Sequence, residues 1–358
     1  MYRLVTKLSI LIILIFILEG CSGTRILKTQ ELLIDKTEIF ENEQLLKNNP
    51  VNFIITTPPN KKVFGIPLGK IVYEIAHPDP KSKFNDWLKK KDKRKQRIIK
   101  LLSSKQLDAL ENYAVLFNNW LKKTGEPPAV LDSSALKTSQ KRITQYYKNL
   151  GNFDVEVNID TTKIKGNKIA LKYSIFPKNK YQIESIESII KSPDIDSIYK
   201  KHLTEQLIQK GTPFEIKKFE EERERLILLF RNNGIYNFQQ NSIQFTAAID
   251  SAGLDKKIPV SIQIDNIQQR INDSLLEIPY KINYVKKVAV YIDDLKKQNR
   301  FNQFTDSLNY KGLTIYSKGK LKYRPKAIAS GIAIKKDAVY SDENRNITYR
   351  YFTSLKNF

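Results

Sequence analysis

A helix that runs into a turn and then meets an aromatic residue occurs three times along the chain, and such a repeat constrains the fold more than any other feature. Residues 146–153 read YYKNLGNF, residues 229–236 read LFRNNGIY and residues 351–358 read YFTSLKNF. Gly151 and Gly234 stand where a helix needs a left-handed residue to close its last turn, with Asn149, Asn232 and Asn233 beside them as turn formers; the third copy has Lys356 instead. After the first turn, Phe153, Val155, Val157 and Ile159 alternate with polar residues, Lys165-Gly166-Asn167 makes a tight turn, and Ile169, Leu171, Tyr173 and Ile175 alternate again. That pattern predicts an antiparallel hairpin with one wet face. The second copy repeats it with Phe238, Ile243 and Phe245, a turn around residues 251–253, then Ile258, Val260, Ile262 and Ile264.

The units also begin alike. An extended segment at 181–186 precedes a helical pattern from Ser197 to Gln209, the turn Gly211-Thr-Pro-Phe214 and a helix over 216–232; an extended segment at 284–292 opens the third unit. The order is β-α-α-β-β, and the fold class expected is α+β, built of tandem units.

Chemistry is poorly provided for. The two histidines, His77 and His202, have no spacing for a metal, so neither a metal nor a cofactor is expected, and no GxSxG, Walker or GxGxxG motif is present. Glu220-Glu221-Glu222 reads as a solvated helix face, with Glu221 reaching Arg225 and Glu220 reaching Arg223. No catalytic residue is assigned, and the chain is not expected to be an enzyme. With 41% apolar residues, including 17 Phe and 18 Tyr, real cores can form. A net charge of +23 calls for an anionic partner, either nucleic acid or a membrane surface.

The N-terminus decides between these. Arg3 and Lys7 precede an apolar run, Leu8 to Leu18, too short to span a bilayer, which is the plan of a secretory signal peptide. Gly20 directly before Cys21, the only cysteine, resembles the bacterial lipobox, although Glu19 stands where that motif has a small or apolar residue. The resemblance implies cleavage after residue 20, acylation of Cys21 and an envelope location, which argues against a nucleic acid partner. The other reading of Cys21 is a stray residue in an ordinary signal peptide or uncleaved anchor.

With the β-α-α-β-β order in place, the segments KGTPFEIKKFEEERERLILLFRNNGIYNF at 210–238 and YRPKAIASGIAIKKDAVYSDENRNITYRYFTSLKNF at 323–358 resemble POTRA (polypeptide-transport-associated) domains of the BamA/TamA-like outer-membrane assembly factors, the bacterial surface antigen family. The lipobox, with TTPPNKKVFGIPLGKIVYEIAHPDP at 56–80 and WLKKTGEPPAVLDSSALKTSQ at 120–140, is similar to its TamA-like lipoprotein variant. The expected map is a signal peptide at 1–20, domain one at 27–178 with a helical insertion at 82–123, domain two at 179–266, a link over 266–282, and an incomplete domain three at 283–358. Family members continue into a membrane barrel, whereas here Phe358 falls where the third unit's hairpin is expected. The expectations are therefore a third sheet reduced to its first strand, and a truncated frame or a barrel supplied by a separate chain.

The resemblance implies a non-enzymatic assembly or translocation factor, lipid-anchored at the outer membrane with periplasmic domains, whose partners are unfolded or partner envelope polypeptides. Such partners would add to an exposed sheet edge. The candidate edges are 153–160 (Phe153, Val155, Val157, Ile159) and 238–245 (Phe238, Ile243, Phe245); charges at Asp154, Glu156 and Asp160 offer the opposite reading, a blunted edge. The alternative function is an envelope lipoprotein that binds or hydrolyses a ligand. Lys89, Lys90, Lys91, Lys93, Arg94, Lys95 and Arg97 form the strongest basic run, either a solvated helix face or a contact for anionic head groups.

Overall fold

The computed structural model describes residues 31–47, 49–90, 98, 103–249, 255–271, 274–292 and 304–354; Cys21, Lys91, Lys93, Arg94, Lys95 and Arg97 lie outside them. The chain divides into two compact units, Met1–Tyr146 with Val155–Pro177 and Tyr147–Asp154 with Lys178–Phe358.

In the first unit, strand β1 (Leu33–Glu41) and the short β2 (Gln44–Leu45) precede helices α1 (Leu68–Ile75), α2 (Pro80–Lys89), α3 (Ser104–Thr124) and α4 (Ser133–Asn149) and strands β3 (Glu156–Lys165) and β4 (Lys168–Phe176). The sheet order is β2-β1-β4-β3, with β4 parallel to β1 and antiparallel to β3. The alternation in β4 does what its pattern predicts, burying Ile169, Leu171, Tyr173 and Ile175. Among the described residues, the insertion expected as helical over 82–123 shows two separately capped helices, α2 and α3. Asp79 accepts the Ser82 amide at 3.0 Å to start α2. Ser103 and Gln106 form a reciprocal capping box that starts α3. Gly125 ends α3, and a side chain there would meet the Tyr73 backbone nitrogen at 2.4 Å.

In the second unit, β5 (Gln182–Ile190), α5 (Pro193–Lys201), α6 (Ile216–Asn232), β6 (Ile243–Ala247) and β7 (Lys257–Ile264) form one β-α-α-β-β module with sheet order β5-β7-β6. Helix α6 spans the residues its apolar spacing predicts. The helix expected over 197–209 is displaced: it starts at Pro193, whose fixed φ suits a first turn, and ends at Lys201. Tyr181, Ile195, Phe214, Leu226, Phe230, Phe238 and Ile262 pack in its core. That core takes in Tyr280, beyond residue 266, and Tyr280 shares a hydrogen bond of 2.7 Å with Ser242. The expected link carries an antiparallel hairpin, β8 (Ile267–Ile271) with β9 (Ser274–Ile278).

The remaining part corrects the expectation of a one-strand sheet. Strands β10 (Val288–Ile292), β11 (Asp306–Tyr310) and β12 (Leu313–Ser317) precede helices α7 (Pro325–Ser330) and α8 (Asp342–Ser354). Strand β12 lies parallel to β10 and antiparallel to β11, in the order β10-β12-β11. That is the order first strand, third strand, second strand found in β5-β7-β6, but the hairpin comes before the helices rather than after them. Lys311 and Gly312, both at positive φ, close the two-residue turn that makes this hairpin.

A backbone clasp recurs three times and identifies the modules independently of side chains. The amides of Leu131, Phe214 and Tyr340 donate to the carbonyls of Leu32, Tyr181 and Asn283 at 2.8, 2.9 and 2.9 Å. The amides of Ile34, Ile183 and Val285 donate to Ala129, Thr212 and Ala338 at 2.7, 2.9 and 2.9 Å. Each clasp ties the opening strand to the residues just before the second helix, so Gly211-Thr-Pro-Phe214 corresponds to Asp337-Ala-Val-Tyr340. Counted from the clasp, YFTSLKNF sits four residues earlier in its helix than LFRNNGIY, one turn away from the alignment made by sequence. A slip of about 3.6 residues keeps the same helix face, so apolar spacing does not reveal it.

The repeated glycine turn is tied by its carbonyl to the start of a later extended segment within the second unit. Gly151 (φ +91) and Gly234 (φ +98) present their carbonyls to the amides of Tyr181 and Asn283, each at 2.9 Å. A side chain at Gly151 would meet the Phe214 carbonyl oxygen at 2.4 Å, and one at Gly234 would meet Ile282 at 2.7 Å. Glycine is needed for its backbone angle and for this close approach together.

Candidate functional site: exposed sheet edges

Of the sequence-predicted edge residues, the structure keeps some on edges and removes others. Ile243 and Phe245 belong to β6, an edge strand, and Val157 and Ile159 to β3, also an edge. Phe238 is fully buried among Phe230 and Tyr280. Phe153 packs edge-on against Tyr181 at 5.2 Å and against Phe214 at 5.6 Å, and Val155 precedes the strand. Both aromatic residues begin the extended segment but serve as packing pegs inside the second unit, which a period-2 pattern does not distinguish from strand residues.

The two edges differ in charge. Strand β3 carries Glu156, Asp160, Lys163 and Lys165, the kind of decoration that blunts an edge. Strand β6, Ile243-Gln-Phe-Thr-Ala247, carries no charge. Its ladder fixes which groups face outward. The Asp265 amide donates to Ser242 and the Ala248 amide to Pro259, so even-numbered residues turn their polar backbone toward β7. Phe245 and Ala247 therefore turn N–H and C=O to the open side, while the Ile243 amide is held by the Gln240 carbonyl. Behind the edge, the Phe245 ring meets Phe219 edge-on at 5.4 Å and lies under the Arg223 guanidinium at 5.2 Å. Arg223, expected to pair with Glu220, lies instead over the Phe245 ring.

Glu222 is the other correction. It is 0% exposed, receives two hydrogen bonds from Arg225 at 2.9 and 2.7 Å, and accepts the Leu207 amide at 2.9 Å. Glu221, expected to reach Arg225, instead pairs with Lys218 at 2.9 Å. The signal was present in α6, where Phe219, Glu222, Leu226 and Phe230 are spaced as one buried stripe. Burial, reinforced by the Glu222 carboxylate, pushes the nearby Tyr199 hydroxyl up to about 12. This network ties the 203–207 segment to α6 beneath the sheet. It is a structural anchor, closed to solvent on the carboxylate side.

His77 shares a hydrogen bond of 2.7 Å with the Asp79 carbonyl, and His202 pairs with Glu205 at 2.8 Å. Among the described residues no group of three or more His, Cys, Asp or Glu could hold a metal. Lys89 and Lys90 are exposed at the end of α2. Among the described residues no helix is long and apolar enough to cross a membrane.

Residues 93–178 match the POTRA family, described as the surface antigen variable number repeat. The match takes in α3, α4, β3 and β4. A search of curated proteins gave no significant match. Similar solved structures include POTRA3–5 of BamA from Haemophilus influenzae, at 9% identity and a TM-score of 0.29, over 65% of this chain and 77% of that one. POTRA1–3 of the periplasmic domain of Omp85 from Anabaena is similar at 9% identity and a TM-score of 0.24, over 91% and 86%. The N-terminal domain of Omp85 from Thermosynechococcus elongatus is similar at 13% identity and a TM-score of 0.21, over 64% and 75%. Residues 93–178 thus match the POTRA family, and the module that follows them has the same strand order and the same clasp.

Proposed function

We propose that this chain is the periplasmic POTRA part of an outer-membrane protein assembly or translocation factor, and that it receives extended client or partner polypeptides on the edge of β6. The observation that carries this reading is the uncharged β6 edge, with the outward N–H and C=O groups of Phe245 and Ala247 backed by Phe219 and Arg223. An incoming strand would gain main-chain hydrogen bonds there without meeting a charged side chain of β6 itself. No bond is made or broken in such a role, which accords with the absence of a nucleophile and base pair in the sequence.

Ala247→Pro tests the edge with little cost to the ladder, because it removes an outward N–H and no bond to β7. A labelled synthetic peptide of alternating apolar and polar residues is the probe, read by fluorescence anisotropy against the full chain. Loss of one hydrogen bond and its neighbouring geometry should weaken binding by about tenfold. Unchanged affinity would place the peptide elsewhere.

Anchoring belongs to the same proposal. Acylation of Cys21 would hold the modules at the membrane where such clients arrive, and a membrane barrel is the partner the family resemblance implies. Metabolic labelling with a palmitate analogue should mark the wild-type chain and not Cys21→Ser; equal labelling would exclude acylation at this residue.

A further inference from the structure

Among the described residues, helix α3 packs one side within its unit and leaves an apolar stripe on another side exposed. Leu121 and Asn118 are buried on the inner face, where the Asn118 amide donates to the His77 carbonyl at 3.0 Å and its oxygen accepts the His77 amide at 2.7 Å. These bonds fix the rotation of the helix about its axis. Leu110, Tyr113, Leu116, Phe117 and Trp120 are thereby turned outward, with 43, 68, 62, 59 and 55% of their surfaces exposed. At about 100° per residue these five fall within roughly a third of the helix circumference. Phe117 and Trp120 stack at 5.7 Å, so the stripe is one continuous surface rather than scattered residues. A contiguous exposed face of this kind marks an interaction site.

The chemistry around it selects the occupant. Residues 80–124 hold 13 of the Lys and Arg residues against 4 Asp and Glu, so this insertion carries much of the net positive charge of the chain. Lys122 and Lys123 lie in the last turn of α3, and Lys89 and Lys90 at the end of α2 are exposed. A helix whose outer face is Trp, Tyr, Phe and Leu, with Lys122 and Lys123 in its last turn, matches the boundary between anionic head groups and acyl chains: aromatic rings settle at head-group depth and lysines reach the phosphates. We infer that the outer face of α3 seats on an anionic membrane surface, so that the first POTRA unit is held flat on the lipid by a contact separate from any N-terminal acyl chain. Docking onto a protein is disfavoured because a segment with 13 Lys and Arg against 4 Asp and Glu would then need an acidic partner that also covers a small apolar strip.

The two tryptophans of the chain, Trp87 and Trp120, both fall in this insertion, so tryptophan emission reports on it alone. The test uses the full chain carrying Trp87→Phe, reconstituted into phosphatidylcholine vesicles with or without phosphatidylglycerol, each made with brominated acyl chains. Seating of α3 predicts that Trp120 is quenched by bromine and shielded from aqueous iodide when phosphatidylglycerol is present, with quenching at least about twofold above that in phosphatidylcholine alone. Adding Phe117→Asp, at an exposed position that leaves the fold intact by circular dichroism, should abolish the bromine quenching even if an acyl anchor keeps the chain on the vesicle. The inference fails if Trp120 stays open to iodide on anionic vesicles, if bromine quenching is equal without phosphatidylglycerol, or if Phe117→Asp leaves it unchanged. It also fails if Trp120 becomes shielded in detergent, without lipid, as protein concentration rises, since the occupant would then be a second copy.

Discussion

Replacing Glu222 with Ala is expected to destabilise the β5–β7 module by about 3 kcal/mol, because removing one partner of a buried ion pair leaves the other desolvated and uncompensated. Arg225 would keep only its long contact to Glu205 at 3.7 Å, and the Leu207 amide would lose its acceptor. Glu221→Ala, one residue away on the solvated side, should leave stability nearly unchanged. Both tryptophans lie in the first unit, so urea unfolding should be followed by far-ultraviolet circular dichroism and limited proteolysis of the 178–282 region rather than by tryptophan emission. Equal effects of the two substitutions would mean that Glu222 is solvated and that the 203–207 segment is held by something else.

Ile315→Asp is expected to dismantle the third sheet. Ile315 is 1% exposed on the central strand β12 and sits opposite Val290 of β10 and Leu308 of β11. Among the described residues of this module only Leu313, Ile315 and Ile328 are buried apolar side chains, so its core has little reserve. A carboxylate there loses the packing of the isoleucine and is itself desolvated, a combined cost of roughly 3–5 kcal/mol. Trypsin should then cut within 284–324, while the β5–β7 module stays protected. Leu308→Asp, at a position 42% exposed on the edge strand, should leave the digestion pattern unchanged. If Ile315→Asp is equally silent, β11 and β12 do not complete this sheet.

What could be read from the sequence follows from the range of the interactions involved. Helix 216–232, the Lys165–Lys168 hairpin and the left-handed turns at Gly151 and Gly234 rest on spacing and turn chemistry within a few residues, and the structure places them as that chemistry requires. The third sheet was missed because strand pairing is non-local: β11 and β12 are short, largely exposed on one strand, and nothing in their own pattern says that β10 is their partner. The clasp was missed because it consists of backbone groups alone. The break before α3 was legible in Ser103-x-x-Gln106, but the apolar spacing on either side masked the capping box.

The candidate site was half legible. Alternation located the edges, yet it could not separate Phe153 and Phe238, which pack into the interior of the second unit, from Phe245, which lines the edge. Nor could it show that β6 is free of charge along its whole paired length while β3 is not, since the strand boundaries decide which charges count.

Backbone amide exchange at Phe245 and Ala247, measured residue by residue with and without a saturating strand peptide, tests the central claim most directly. In the free chain these two outward amides should exchange far faster than the neighbouring Gln244 and Thr246 amides, which already face β7. Addition of the peptide to β6 predicts slowing at Phe245 and Ala247 by about tenfold or more, with little change at Gln244 and Thr246. Peptide binding that leaves Phe245 and Ala247 exchanging as before, or that protects β3 instead, would contradict the account.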